Sequence, residues 1–284
     1  MNQNGALKTP CYPGGLTVLM SVYKNDKPDL LVKAVQSCFE NSLPPNKFIL
    51  VIDGELPSKT EDAVNTLISR YDIKSIKLQQ NVGLARALNI GLTHVDTDWV
   101  ARADADDYNK PKRFETQRAA LEKHGFTLDI IGTAIEEIDS EGNLVAIRRT
   151  ATEHDKILNY IKARNPFNHM TVIFRTSKAL EAGGYPNIFL KEDYALWAKM
   201  LAQGAKSANI DSPLVIASAG RDMFKRRGGV KYALAEIELQ RHLIKLGLKS
   251  SYMGFIHGVL RSTIFVMPSK MREIFYLKFL RHKD

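Results

Sequence analysis

The segment WVARADADD, residues 99–107, places a short run of small and apolar residues directly before three carboxylates. Its first half, Trp99 to Ala103, predicts a buried strand that the acidic residues close. Three similar apolar runs precede it, at 16–23, 48–53 and 73–78. Stretches with helical periodicity separate the runs, so the spacing predicts an α/β fold with a mostly parallel central sheet flanked by helices.

The helical patterns lie at 28–41, 59–71 and 84–94, and a further helix starts after Pro111. Parallel sheets of this kind bind ligands in the crevice at the carboxyl ends of their strands. The polar side chains that close the predicted strands therefore indicate a site at that edge; they are Ser21, Tyr23, Asp53, Asp104, Asp106 and Asp107.

After Gly125 the pattern changes. Two strands, 130–138 and 144–149, are predicted to form a hairpin around the turn residues 140–143. The remaining predicted elements are a strand at 170–175, a helix at 193–203, two short strands within 206–219 and a helix at 230–246.

The net charge of +9 is concentrated at one end of the chain. Residues 1–220 contain 26 basic and 26 acidic side chains, whereas residues 221–284 contain 14 basic and 5 acidic ones. Aromatic and aliphatic residues alternate with basic ones within 252–283, which is typical of segments that lie on an anionic membrane surface. Packing onto the preceding domain is the alternative.

No apolar stretch is long enough for a membrane-spanning helix, and the first residues lack a signal-peptide pattern. We therefore expect a cytoplasmic protein, associated peripherally with the inner face of the cytoplasmic membrane. The two cysteines, Cys11 and Cys38, exclude a disulfide framework.

The acidic cluster at 104–107 predicts a metal site. Three carboxylates within four residues repel one another, which is costly in a partly buried crevice. Mn²⁺ or Mg²⁺, bound through oxygen ligands, would remove that cost. A solvated acidic turn that caps the helix after Pro111 is the alternative interpretation.

Several motifs, in order along the chain, resemble those of the family 2 glycosyltransferases. The resemblance covers about residues 16 to 229. The matching stretches are SVY (21–23), FILVIDGE (48–55), NVGLARALNIG (81–91), DADD (104–107), PKRFETQ (111–117), NHMT (168–171), GGY (183–185) and KEDYALW (191–197).

The resemblance implies a GT-A fold, a nucleotide-sugar donor, a divalent metal and inversion at the anomeric carbon. The expected organisation is an irregular lead-in at 1–15, a catalytic domain at 16–229 and a basic amphipathic helical extension at 230–284. Within the catalytic domain, the nucleotide-binding half is expected at about 16–125 and the acceptor-binding half at about 126–229.

The resemblance also implies roles on the donor side. Asp53 would bind the uracil edge and Asp104 the ribose hydroxyls. Asp106 would hold the metal, with Asp107 as a second ligand or a ligand to water. The other donor-binding candidates are Ser21, Tyr23, Asn81, Arg86, Arg102, Arg226 and Arg227. For Arg86 and Arg102, pairing with nearby acids is an equal alternative, and for Arg226 and Arg227 it is a solvated basic turn.

Asp193 matches the catalytic base of the family, which deprotonates the acceptor hydroxyl. An N-cap role for the same aspartate is the alternative, and both roles can hold together. Glu192 is the competing carboxylate. On the acceptor side we expect His169 and Trp197, with a structural histidine and a core tryptophan as the alternatives.

These residues predict an inverting hexosyltransferase. It would move galactose, glucose or an N-acetylated form from a UDP-sugar to a polyprenyl-diphosphate-linked saccharide in O-antigen, capsule or exopolysaccharide synthesis. A sugar-1-phosphate nucleotidyltransferase would show a Gly-rich basic stretch after the first strand, which residues 24–27 lack. A basic nucleic-acid-binding protein would leave the acidic crevice unexplained, so we expect no nucleic acid partner.

Overall fold

The computed structural model describes residues 12–218 and 228–267. The first half of the chain forms β1 (Leu16–Val22), α1 (Pro28–Phe39), β2 (Lys47–Ile52), α2 (Ser58–Arg70), β3 (Lys74–Lys77), α3 (Leu84–Leu92), β4 (Trp99–Arg102), β5 (Tyr108–Asn109) and α4 (Arg113–Lys123). The second half forms β6 (Ile130–Ile138), β7 (Leu144–Arg148), α5 (His154–Tyr160), a 3₁₀ turn (His169–Thr171), β8 (Ile173–Arg175), α6 (Thr176–Glu181), α7 (Glu192–Ala202), β9 (Ser207–Ser218), α8 (Val230–Lys245) and α9 (Ser251–Val266).

All the strands of the described residues join one sheet in the order β3-β2-β1-β4-β8-β6-β9-β5, with β7 paired to β6. Strands β1 to β4 run parallel, as the alternation of strands and helices predicts. β8 is antiparallel to both β4 and β6 and so joins the two halves. The carboxyl ends of β1, β2 and β4 therefore open at one edge of the sheet.

Apolar side chains cover both faces of the sheet, because successive residues of a strand point to opposite sides. One core layer contains Leu19 and Val51 and packs against α3, α7 and α8. The other contains Val18 and Leu50 and packs against α1, α2 and α4. Each layer thus combines strand residues from the first half with helices that cover the sheet.

Helix α8 belongs to the same core as the preceding sheet and helices. Leu239 and Leu243 have no exposed surface and pack in the same layer as Trp197. The predicted boundary at residue 230 therefore marks a change in sequence pattern rather than the edge of the core. Helix α9 packs on α8, where Gly254 leaves room for Ile244. None of the helices in the described parts of the chain has the length and apolar character needed to cross a bilayer.

Some predicted elements differ from those observed. Residues 207–218 form one strand rather than two, because β9 absorbs Pro213 where its register against β6 shifts. The predicted strand at 170–175 is a 3₁₀ turn followed by the three-residue strand β8. The hairpin of β6 and β7 is confirmed.

Asn89 connects the two halves through its side-chain amide. Its Nδ2 donates to the Tyr185 carbonyl (2.8 Å), and its Oδ1 accepts from the Tyr185 N–H (2.7 Å). Gly184 has a φ of +72°, and a Cβ there would lie 2.3 Å from Asn89 Oδ1. The glycine is thus required both by its backbone conformation and by the close approach of Asn89.

We expect Gly184→Ala to lower the free energy of unfolding by about 2–4 kcal/mol, because it adds a clash to left-handed backbone strain. The matched control is Gly204→Ala, where φ is +89° but no atom lies within 4 Å of the added Cβ. That control isolates the strain, about 1–2 kcal/mol. Urea unfolding measures both variants, and equal losses would contradict the clash.

Candidate active site

Arg102, at the carboxyl end of β4, is a buried cation at the centre of the sheet edge. Its side chain is 1% exposed and forms an ion pair with Asp104. Arg102 NH1 donates to the Leu19 carbonyl (3.4 Å), and the Arg102 carbonyl accepts a hydrogen bond from Arg113 (2.9 Å). Of the two sequence-based alternatives, the structure favours pairing with a nearby acid. The interpretation of Arg102 as a direct contact of the donor diphosphate is corrected to an ion-pairing role, because its side chain is almost completely buried.

The three carboxylates after β4 lie at different depths below the surface. Asp104 is partly exposed and Asp106 is exposed, whereas Asp107 is buried and accepts from the Ser218 N–H (3.2 Å). Burial raises the pKa of Asp107 well above its usual range, and the negative charges of Asp106 and Asp104 raise it further. Burial and repulsion between neighbouring carboxylates therefore both disfavour the charged form of Asp107.

Asp26 adds a carboxylate that the sequence did not single out. It lies in the turn after β1, where its Oδ2 accepts from the Tyr23 N–H (2.8 Å). Burial raises its pKa to about 7, and repulsion from Asp106 and Asp104 contributes. Asp26 thus faces the same space as the cluster after β4.

Asp53, at the end of β2, holds the loop that leads into α3. Its carboxylate accepts from the Val82 N–H (2.7 Å), the Gly83 N–H (3.1 Å) and Asn81 Nδ2 (2.9 Å). Three of about four lone-pair sites are therefore filled within the protein. Asp53 shapes the start of α3, and its contact with uracil stays a prediction that would use the remaining site.

The other donor-side candidates surround the same sheet edge. Ser21 is half-buried near the end of β1, and Tyr23 is exposed just beyond it. Asn81 and Arg86 are exposed in the loop before α3 and in its first turn. Arg226 and Arg227 lie outside the described residues.

Glu192 and Asp193 form the first turn of α7, with Lys191 at the N-cap position. Asp193 is therefore not the N-cap residue, which corrects the alternative interpretation. It is half-buried, and its Oδ2 accepts from Asn165 Nδ2 (2.6 Å). Glu192 is buried, and its pKa is raised to about 7 by burial and by the charge of Asp193. The oriented and more accessible carboxylate is Asp193.

His169 and Trp197 belong to one aromatic cluster. The rings of Phe174 and His169 lie 5.5 and 6.2 Å from Trp197, which has no exposed surface. The prediction that Trp197 binds the acceptor by stacking on a sugar is therefore wrong, and the alternative of a core tryptophan holds. His169 is half-buried, with Nε2 3.4 Å from the Tyr185 hydroxyl. Burial and the charge of Arg102 lower the pKa of His169 to about 4, so the ring is neutral at pH 7.

The two halves of the chain face one space around Arg102. The charges of Arg102 and Asp104 both influence the pKa of Glu192 and of His169, although these residues come from opposite halves. The structure thus brings the acidic cluster after β4 together with the first turn of α7, as the sequence predicts for a donor side and an acceptor side.

The donor set after β4 fits a hard divalent cation. No three His, Cys, Asp or Glu side chains in residues 12–218 and 228–267 are arranged to hold a metal by themselves. Mg²⁺ and similar ions often take only one or two carboxylates and complete their shell with phosphates and water. The exposed Asp106, with the buried Asp107 next to it in sequence, could supply the one or two carboxylates of such a site.

Arg113 and Gln117 support the site through buried hydrogen bonds. The sequence identifies them only as motif residues. Arg113 is fully buried and donates to Asn109, Gln117 and the Arg102 carbonyl. Gln117 in turn donates to the carbonyls of Ile131 and Thr171. Asn165 was missed altogether, because it lies in a loop and no local pattern marks it.

A model of the family described as "Glycosyl transferase family 2" matches residues 17–184. The chain belongs to this family. It is therefore a glycosyltransferase, and the expectation drawn from the ordered motifs is confirmed.

Two relatives extend the match over nearly the whole chain. A UDP-Gal:alpha-D-GlcNAc-diphosphoundecaprenol beta-1,3-galactosyltransferase from Escherichia coli is 36% identical, covering 93% of this chain and 96% of that protein. An amylovoran biosynthesis glycosyltransferase from Erwinia amylovora is 34% identical, covering 92% and 98%.

Solved structures confirm the GT-A fold. Residues 1–349 of TarS from S. aureus, in complex with UDP-GlcNAc, match with a TM-score of 0.67 at 16% identity, covering 93% of this chain and 76% of that one. A mannosyltransferase from Pyrobaculum calidifontis, in complex with GDP-Man and Mn²⁺, matches with a TM-score of 0.61 at 14% identity, covering 99% and 85%.

We expect the free energy of unfolding of Glu192→Gln to rise relative to that of the unmodified protein as the pH rises from 5 to 8. The folded state keeps Glu192 protonated up to a pKa of about 7, against an ordinary value of 4.5. Its stabilising contribution is therefore present below pH 4.5 and lost as the pH rises through 7, by up to about 3 kcal/mol. Glutamine mimics the protonated side chain at every pH. Urea unfolding at pH 5 and 8 measures the difference, and a pH-independent gap would contradict the assignment.

Proposed function

We propose that this glycosyltransferase moves galactose, with inversion, from UDP-Gal to a GlcNAc-diphosphoundecaprenol type of acceptor in the synthesis of a bacterial surface polysaccharide. The observation that carries the proposal is the meeting of two carboxylate sets around Arg102. One set follows β4 and suits a nucleotide diphosphate with its cation, and the other begins α7 and suits a hydroxyl acceptor. The near full-length identity to the Escherichia coli galactosyltransferase supports the choice of sugar and acceptor.

Asp193 acts as the general base in this proposal. The acceptor oxygen attacks the anomeric carbon as the bond from that carbon to the UDP oxygen breaks, and the acceptor proton passes to Asp193. Asn165 holds one carboxylate oxygen at 2.6 Å and so leaves the other oriented toward the acceptor.

The donor is held by the sheet edge. Asp53 would meet the uracil and Asp104 the ribose, while Asp106, with Asp107 behind it, would hold Mn²⁺ or Mg²⁺. Such an ion neutralises negative charge on the departing diphosphate. Arg102 fixes Asp104 through their ion pair, so the ribose contact would be oriented before the donor arrives.

A lipid-linked acceptor requires an approach to the membrane, and the outward side of α9 suits that approach. Tyr252 and Phe255 are 73% and 72% exposed, and the helix contains no acidic residue. The basic, aromatic residues that follow, 268–284, lie outside the described part of the chain. We infer a peripheral contact between this end of the protein and the anionic inner leaflet.

We expect Asp193→Asn and Asp106→Ala each to reduce galactose transfer at least about 100-fold, because the first removes the base and the second a charge beside the diphosphate. Transfer is measured with UDP-Gal and GlcNAc-diphospholipid in Mn²⁺, beside UDP-Glc, UDP-GlcNAc and UDP-GalNAc. Asp72→Asn, an exposed aspartate after α2, is the control and should retain full activity. Full activity in Asp193→Asn would refute the base, and a stronger preference for another donor would refute galactose.

We expect the double variant Tyr252→Ser, Phe255→Ser to bind less to vesicles that contain anionic phospholipid, because it removes two exposed aromatic side chains from α9. The matched control is Leu144→Ser, since Leu144 is 58% exposed in the β6–β7 hairpin at another part of the molecule. Co-sedimentation measures the bound fraction. Equal binding by the two variants would contradict a membrane contact through α9.

A further inference from the structure

Glu236, on α8, is a buried charge outside the site described above. Its side chain has no exposed surface, and two cations flank it: Lys191 Nζ lies 3.0 Å from Oε2, and Arg261 NH1 lies 3.3 Å from Oε1. Gln240 Nε2 also donates to Oε1 (2.8 Å). Burial alone would raise the pKa of Glu236, but the two cations outweigh it and the pKa is lowered. Glu236 is therefore an ionised anchor for both.

The two cations lead to opposite sides of Asp193. Lys191 is the N-cap residue of α7 and precedes Asp193 by two positions. Arg261, on α9, donates from NH2 to the Ala163 carbonyl, and Asn165 follows Ala163 by two positions. Asn165 is the residue that donates to Asp193. Through Lys191 and Arg261, Glu236 is therefore connected to both chain segments that meet in the Asn165–Asp193 hydrogen bond.

Other contacts between the same segments act in the same direction. The Tyr194 hydroxyl donates to the Ile161 carbonyl (2.5 Å), and His242 Nε2 of α8 lies 3.2 Å from the Ala195 carbonyl. A buried carboxylate with two cations contributes little net stability, because desolvation offsets the attraction. Its effect lies in fixing geometry, since each partner loses its charge balance if it moves.

We propose that Arg261 and Glu236 are positioning residues for Asp193, so that helices α8 and α9 complete the active site from the C-terminal end of the chain. The inference rests on the proposed function, because it takes Asp193 as the base. Arg261 touches neither donor nor acceptor in this account. It acts by holding the loop of Ala163 and Asn165 at a fixed place relative to α7.

Arg261→Lys tests the proposal while keeping the positive charge. A lysine has one ammonium in place of a planar fork, so it cannot serve both Glu236 and the Ala163 carbonyl in the same way. We expect kcat to fall about 10- to 100-fold, because small displacements of a catalytic group are costly. The KM for UDP-Gal should change by less than about twofold, because the donor side is untouched.

Lys249→Met is the matched control within the same pair of helices. Lys249 Nζ donates to Gln240 Oε1 (2.7 Å) and lies 3.1 Å from His257 Nδ1, while Lys191 and Ala163 are not among these partners. It removes a buried cation that pairs with neither Glu236 nor the two segments at Asp193. Its kcat should stay within about twofold of the unmodified protein. Glu236→Gln provides a second test, and it should reproduce the kcat loss of Arg261→Lys.

A double-mutant cycle with Asn165→Ala separates positioning from general loss of structure. If Arg261 works through Asn165, Arg261→Lys should cause little further loss of kcat in the Asn165→Ala background. Losses that multiply, or an unchanged kcat in both Arg261→Lys and Glu236→Gln, would overturn the inference. Asp193→Asn, assayed alongside, separates the base role of Asp193 from the positioning role of Arg261. If Asp193→Asn retains activity, Asp193 is not the base. If Asp193→Asn is inactive while Arg261→Lys is fully active, only the positioning role is refuted.

Discussion

The site depends on the balance between one buried cation and the acids around it. Arg102 ends the central strand β4 with a buried guanidinium, and Asp104 pairs with it. Burial raises the pKa values of Asp26 and Asp107, and repulsion from Asp104 and Asp106 raises them further, so these carboxylates lie close to one another. Asp26 follows β1 and the other three carboxylates follow β4, so the fold concentrates them at one edge of the sheet.

Several residues of the family motifs serve the architecture rather than the chemistry. The Asn89 side chain joins the two halves through two hydrogen bonds to the Tyr185 backbone, and its close approach leaves no room for a side chain at Gly184. Arg113 and Gln117 brace the back of the site. A motif match therefore identified the family correctly while saying little about which of its residues meet a substrate. A buried polar group is costly without a hydrogen-bond partner, so a polar motif residue can serve the structure rather than the chemistry.

The parallel half of the sheet could be predicted because its signals are local: short apolar runs, helical periodicity and acidic residues at strand ends. The bounds of β1 to β4 accordingly agree with the sequence prediction to within one or two residues. The 3₁₀ turn before β8 and the single strand β9 could not be predicted, since each depends on which distant segment packs beside it. Asn165 escaped prediction for the same reason. Its partner Asp193 is 28 positions away, and only the folded chain brings them together. The burial of Trp197 agrees with the core alternative that its helical spacing indicates.

The burial of the tryptophans has a practical consequence. The chain contains two, Trp99 and Trp197, and neither has any exposed surface. One lies in each core layer, on opposite faces of the sheet. Replacing either by phenylalanine would leave a single native fluorophore that reports one layer. The emission of Trp197, whose ring lies 6.2 Å from His169, would also register changes on the acceptor side without an added label.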